Sequence, residues 1–241
     1  MPGLVIPAER SIIVAADVEP EKYYELVEGI GAVKGISGYK IGFEVALGIT
    51  LAAAVEVVRN VDESAVAIYD HQKAGNDIPD TGVNFARTMV RGGVDAAIVS
   101  PFNGPQVEES WIRELQQKNI GVIFGSEMTH KQQRHSEGGY IADDAFLKMF
   151  SQAVALGVKD FVVPGNKPEK VQEYREFFDE EVGEGEYSLF APGFVAQGGE
   201  ISETGQAAGK SWHAIIGRGI TQAADMRGAA IEHTQQILNR G

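Results

Sequence analysis

Cysteine is absent from all 241 residues, which excludes disulfides and thiolate chemistry. Basic residues are scarce, 21 against 34 acidic ones, and the net charge of -13 opposes bulk binding to nucleic acid or to an anionic membrane. An anionic small ligand therefore needs a local cradle. No apolar run approaches the roughly 20 residues that span a bilayer. Residues 1–10 contain neither the basic region nor the apolar core of a signal peptide, so a soluble cytoplasmic protein is expected. Linker-like composition is missing too: the acidic patch 178–186 is too short to separate domains and reads as a surface turn. With 44% hydrophobic content the chain can bury a large core, and one domain over residues 1–241 is expected.

What is present is an alternation. Short β-branched and apolar runs at 12–17, 38–42, 65–70, 96–100, 121–126, 160–163, 187–191 and 214–217 read as strands. Between them lie helical patterns at 20–28, 51–61, 107–118, 143–156, 168–178 and 221–239. Eight such strands make an α/β fold of the (β/α)8 TIM-barrel type the leading expectation, with an open doubly wound sheet as the alternative. Functional residues of a barrel gather at the C-terminal ends of its strands. Here those ends carry Asp17, Lys40, Asp70, Ser126, Glu127, Pro164, Gly165, Pro192, Gly193, Gly217 and Arg218.

Three groups of residues carry candidate chemistry. The first is Asp17, Lys40, Asp70, Lys73 and Asp77, from the first three strands and their loops. Opposite neighbours favour the charged forms, so a lysine among these carboxylates suits general acid work better than Schiff-base formation. A solvated strand-end loop with a chance ion pair, or a snorkelling Lys40, is the plainer reading. The second group runs from Ala191 through Pro192 and Gln197 to Gly199, followed by Gly217 and Arg218, and fits the phosphate-binding loops after strands seven and eight. The third, Ser126 to His130, offers hydroxyls to a polar heterocycle across the barrel mouth. No histidine pair has metal-ligand spacing, so a transition-metal site is not expected. Trp111 and Trp212 read as outer-face helix or loop residues that pack the core or cap the barrel. The polar run 131–139 reads as an exposed loop or a lid that moves with ligand.

Taken together, these residues resemble the orotidine 5′-phosphate decarboxylases of archaeal type, from residue 12 to the end. The family signature Asp-x-Lys-x-x-Asp-Ile-Pro-x-Thr is matched by Asp70, Lys73, Asp77, Ile78, Pro79 and Thr81, and Lys40-Ile41-Gly42 matches the second-strand lysine motif. Asp17 matches the first-strand aspartate. Glu127-Met128-Thr129-His130 is similar to Glu-Met-Ser-His, and the 191–199 and 216–218 segments match the phosphate-binding ends.

The resemblance implies that Lys73 protonates C6 of the pyrimidine as carbon dioxide leaves, with Asp70 pressing its charge toward the departing carboxylate. It implies that Asp17 and Lys40 bind ribose hydroxyls, Thr129 the pyrimidine, and Gln197 and Arg218 the phosphate, beside Pro192 and Gly217. Asp77, Ile78 and Thr81 would reach a neighbouring subunit's site, making a homodimer. No cofactor or metal is implied, and neither nucleic acid nor membrane is a partner. The spacing departs from the signature, with one extra residue on each side of Lys73. On a regular strand Asp70 and Lys73 would face opposite ways. A β-bulge near His71 or Gln72 is the expected remedy; otherwise His71 takes the inward place and Asp70 leaves the site. Two other activities compete: a magnesium-dependent sugar-phosphate decarboxylase or aldolase of the same superfamily, such as the keto-gulonate phosphate decarboxylases and hexulose phosphate synthases, and a non-catalytic barrel that binds a phosphate ligand.

Overall fold

The computed structural model describes residues 3–71, 75–194 and 200–238. Eight parallel strands close a barrel in chain order: β1 (Arg10–Ala16), β2 (Ile36–Ile41), β3 (Val66–Asp70), β4 (Ala96–Val99), β5 (Gly121–Gly125), β6 (Asp160–Val162), β7 (Ser188–Pro192) and β8 (Trp212–Ile216). Around them run α1 (Pro20–Ile30), α2 (Phe43–Gly48), α3 (Leu51–Val61), α4 (Gly82–Gly92), α5 (Pro105–Gln117), α6 (Ala145–Ala155), α7 (Pro168–Glu181), α8 (Ile201–Ala208), α9 (Arg218–Thr221) and α10 (Met226–Leu238). The expected strands are all there, with ends shifted by one or two residues. No described helix is long and apolar enough to cross a membrane.

Strand alternation sorts side chains into two apolar layers. Ile13, Ala15, Ile68, Ile98, Ile123, Phe190 and Ile215 fill the barrel interior. Their strand neighbours, such as Val14, Tyr69, Val99 and Ile216, pack outward under the helices. The same period decides which polar residues face the interior. Asp70 follows Ile68 by two positions, and Lys40 stands in register with both Ala15 and Ile68. Proline at the first positions of α1, α5 and α7 pre-sets the helical φ where its missing N–H costs nothing.

The structure adds elements that the residue pattern did not reveal. α2, α8 and α9 span only 6, 8 and 4 residues, too short for a helical period to repeat, and α4 begins and ends in glycine, followed by a left-handed cap at Gly93 with φ 71°. The helix expected over 221–239 is two, because the Asp225 carboxylate accepts from the Gly228 N–H at 2.8 Å and starts α10 afresh. Trp111 sits on α5 and is 5% exposed. Trp212 is not on an outer helix or loop: it opens β8 and is buried in the core.

The N-terminal segment plugs the barrel floor with Ile6, and the Val5 N–H donates to the Asp160 carboxylate at 3.2 Å. Burial raises the Asp160 pKa to about 7, against the opposing pulls of the Val5 N–H and Lys159. Nearby, His213 shares a 2.7 Å hydrogen bond with Ser11 Oγ, and burial lowers its pKa from 6.5 to about 3. The two groups act in opposite senses. The His213 contribution is intact above pH 6.5 and is lost as pH falls toward about 3. The Asp160 contribution is present below its ordinary 3.8 and is lost as pH rises through about 7. His213→Asn is therefore expected to destabilise most at neutral pH, and its deficit relative to wild type should shrink between pH 7 and 4. Denaturant unfolding at a series of pH values checks this; a constant deficit would exclude His213 as the titrating group.

Candidate active site

A cavity of about 320 Å³ opens at the C-terminal ends of the strands. On one side Lys40 stands between two carboxylates. Its Nζ lies 2.8 Å from Asp70 Oδ2 and 2.9 Å from Asp17 Oδ2. The side chains of Lys40 and Asp70 are 8% and 6% exposed, while that of Asp17 is 59% exposed and faces the opening. Burial alone would lower the Lys40 pKa, but the charges and hydrogen bonds of Asp70 and Asp17 outweigh it and the net shift is upward. Lys40 is thus a fixed ammonium. Asp70 Oδ1 is buried with no hydrogen-bond partner among the described residues.

Gly42 starts the turn into α2, and a Cβ there would collide with Asp17 Oδ1. Gly42→Ala is expected to push the Asp17 carboxylate off Lys40 and lower kcat/KM by about tenfold, the worth of one charge-assisted hydrogen bond. The fold should survive, since φ at this position is an ordinary -80°. Steady-state kinetics beside a circular dichroism melt checks both parts.

Asp70 keeps its inward place at the end of β3. β3 pairs with β4 in unbroken register through Asp70, opposite Ile98. β3 itself is regular, and His71, just past its end, turns toward the outer layer, where its Nδ1 lies 2.5 Å from the Tyr69 hydroxyl; the bulge expected near His71 or Gln72 falls in part outside the described residues. The arrangement in which His71 takes the inward place is therefore corrected. Gln72 and Lys73 lie outside the described residues, as does Gln197.

Asp77, Ile78 and Thr81 do not line the cavity of their own chain. Ile78 is 57% exposed, and its carbonyl accepts from the Thr81 hydroxyl at 2.8 Å and from Trp111 Nε1 at 3.3 Å. Asn103 Nδ2 donates to the Asn76 carbonyl at 2.5 Å. The segment is anchored to α5 and the loop before it, and its acidic and apolar side chains face solvent.

Thr129 does line the cavity, beside Ser100 and Ser126. The loop that carries it is held by a buried ion cluster. Glu127 accepts from Arg134 Nη2 at 2.5 Å, from Lys167 Nζ at 3.0 Å and from the Tyr174 hydroxyl in a short hydrogen bond. Burial would raise its pKa, but hydrogen bonds from Arg134, Tyr174 and Lys167 hold it down at about 2. Gln133 bonds both flanks of the turn, accepting from the Met128 N–H at 2.6 Å and donating to the Ser126 carbonyl at 3.2 Å. Residues 131–139 are therefore no plain exposed loop. Gln133 and Arg134 are each 9% exposed and fasten the segment to the barrel. Residue types gave no sign of Tyr174, Asn166 or Lys167, since a charge after β6 looks like any solvated one. His130 is exposed.

Across the cavity lie Pro192, Gly193, Gly217 and Arg218. Gly193 adopts φ 115°, a conformation that favours glycine, and Arg218 opens α9 without an ion pair among the described residues. Among those residues no group of three or more His, Asp or Glu side chains is arranged to hold a metal ion.

The fold and this cavity define a (β/α)8 barrel with a charged mouth: a lysine clamped between aspartates on one side and, on the other, an arginine with no ion pair among the described residues. Its relatives give the class a name. The chain belongs to the orotidine 5′-phosphate decarboxylase / HUMPS family, whose model matches residues 10–232, and is an enzyme of that family. The orotidine 5′-phosphate decarboxylase of Methanosarcina mazei is 30% identical over 227 residues, covering 94% of each chain. That of Pyrococcus abyssi is 28% identical over 94% of this chain and 98% of its own. Among solved structures, the Methanocaldococcus jannaschii enzyme complexed with inhibitor BMP superposes with a TM-score of 0.79, at 23% identity, over 96% of this chain and 100% of that one. The Pyrococcus horikoshii enzyme gives 0.72 at 25% identity over 93% and 98%.

Proposed function

We propose that the protein decarboxylates orotidine 5′-monophosphate to uridine 5′-monophosphate in de novo pyrimidine biosynthesis, without metal or cofactor. The observation that carries this reading is Lys40 held between Asp17 and Asp70 in one cavity with Arg218, which has no ion pair among the described residues. On a chain with net charge -13, a cation left without a carboxylate at a cavity wall is suited to an anionic group of the ligand, here the phosphate. Gln197 would add an amide to the same group. The ribose hydroxyls then meet Asp17 and Lys40, and Thr129 meets the pyrimidine.

In the reaction the bond from C6 to the carboxylate breaks and carbon dioxide leaves. The electron pair stays on C6, which takes a proton from the Lys73 ammonium; water restores that proton later. Asp70, with one oxygen on Lys40 and the other without a partner among the described residues, holds negative charge where the substrate carboxylate sits in the ground state and where it is absent once carbon dioxide departs. The phosphate, remote from the reacting bond, supplies binding energy that orders the site.

The proposal includes a homodimer in a cytoplasmic setting, with Asp77, Ile78 and Thr81 completing the partner's site. It is supported by their exposure outside their own cavity and by the apolar Phe43, Leu47, Ile78 and Val83 exposed on α2, α4 and the segment between β3 and α4. The test is the loss of ultraviolet absorbance of orotidine 5′-monophosphate with purified protein in EDTA. Sustained turnover is expected. Turnover only of sugar phosphates, and only with added magnesium, would move the protein to the magnesium-dependent reading; ligand binding without turnover would leave a binding barrel.

A further inference from the structure

Two consecutive residues after β6 bond three consecutive residues after the neighbouring strand β5. Asn166 Nδ2 donates to the Thr129 carbonyl at 3.1 Å, and Lys167 Nζ donates to the Met128 carbonyl at 3.2 Å and to Glu127 at 3.0 Å. The strands themselves do not need these bonds, since β5 and β6 are already paired from Ile123 with Asp160 to Gly125 with Val162. Thr129 lies beyond the last rung of that ladder. Lys167 fixes the first part of the turn to the buried Glu127, and Asn166 alone among the described side chains bonds the backbone of Thr129 itself.

The Asn166 amide is also poorly used for stability. Its Oδ1 is buried with no hydrogen-bond partner among the described residues, an arrangement that costs free energy in a residue kept only for packing. It lies beside the loop after the neighbouring strand β7, where a Cβ added to Gly193 would stand 3.2 Å from that oxygen.

We infer that Asn166 is a positioning residue for recognition of the heterocycle, acting through the Thr129 carbonyl to hold the Thr129 hydroxyl at the pyrimidine. The inference rests on the functional reading above, in which Thr129 contacts the base. It assigns Asn166 to one end of the ligand: the base, and not the ribose phosphate.

The experiment measures Kd for uridine 5′-monophosphate and for ribose 5-phosphate by calorimetry, and kcat and KM for orotidine 5′-monophosphate. The proteins are wild type, Asn166→Ala, Thr129→Ala and the double variant. Asn166→Ala is expected to weaken uridine 5′-monophosphate and raise KM by about 3- to 10-fold, the range for one net hydrogen bond. Ribose 5-phosphate binding should change less than about twofold. In the Thr129→Ala background the added loss should largely vanish, because the group being positioned is gone. Equal weakening of both ligands, additive losses or no loss would overturn the inference. Should Asn166→Ala unfold, the near-isosteric Asn166→Asp, which turns an acceptor toward the Thr129 carbonyl, is expected to give the same selective loss; its absence would count against the proposal equally. A wild type that binds uridine 5′-monophosphate yet never turns over orotidine 5′-monophosphate would overturn the functional reading alone, and the two-ligand comparison would still decide the role of Asn166. A wild type that binds uridine 5′-monophosphate no better than ribose 5-phosphate would overturn both.

Discussion

Lys73→Ala is expected to slow turnover of orotidine 5′-monophosphate by on the order of 10²–10⁴-fold at least, the usual contribution of a positioned proton donor. Binding of uridine 5′-monophosphate should persist, because Arg218 and Thr129 remain at the cavity wall. A variant with undiminished turnover would remove Lys73 from the mechanism. The same variant also tests the shared site. Asp77 is exposed and lies outside its own chain's cavity, so Asp77→Ala should damage the partner's site and spare its own. Mixing the two inactive proteins under subunit exchange should produce hybrid dimers in which one site has neither lesion. Recovery toward about a quarter of wild-type activity follows from random pairing, where half the dimers are hybrids with one sound site of two. No recovery after demonstrated exchange would sink the idea that Asp77 acts across the interface.

The second large effect is expected at Lys40. Replacing it with methionine leaves the Asp70 carboxylate, 6% exposed, buried without its only cation among the described residues. Breaking a buried pair from one side costs about 3–5 kcal/mol, and denaturant unfolding should show a loss of that size together with near-complete loss of activity. The Asp17 side contributes less, because that carboxylate is 59% exposed and solvated. The double variant Lys40→Met/Asp70→Leu should recover most of the stability and none of the activity, since apolar replacement of both partners removes the desolvation cost. A double variant as unstable as the single one would show that the pair does more than neutralise itself. The pH dependence has a definite sign: the folded Lys40 pKa is raised, so its stabilisation is complete below its ordinary 10.5 and is lost only as pH climbs above that.

The spacing around Lys73 shows how far a sequence rule reaches at a boundary. Alternation with period two governs residues inside a strand, and it placed Asp70 on the same lane as Ile68. Carried past the strand end, the same rule called for a bulge or for His71 in place of Asp70. The strand stops at Asp70, which stays inside, and His71 turns outward to Tyr69, the side that alternation gives it, so the departure from the rule falls on Gln72 and Lys73, outside the described residues. The helices α2, α8 and α9 escaped notice because 6, 8 and 4 residues are too few to repeat a helical period, and α4 because glycines frame it; the stability of such short helices comes from packing on the barrel.

Local order determined the eight strands, their inward and outward lanes, and the placing of Asp17, Lys40 and Asp70 at strand ends, because these depend on a short repeat along the chain. What closure of the barrel alone decided is which distant residues meet. Glu127 is joined to Arg134 seven positions away, to Lys167 at 40 and to Tyr174 at 47. No periodicity spans such gaps: the register of β5 against β6 brings the two loops together, and desolvation of one carboxylate then requires every donor within reach.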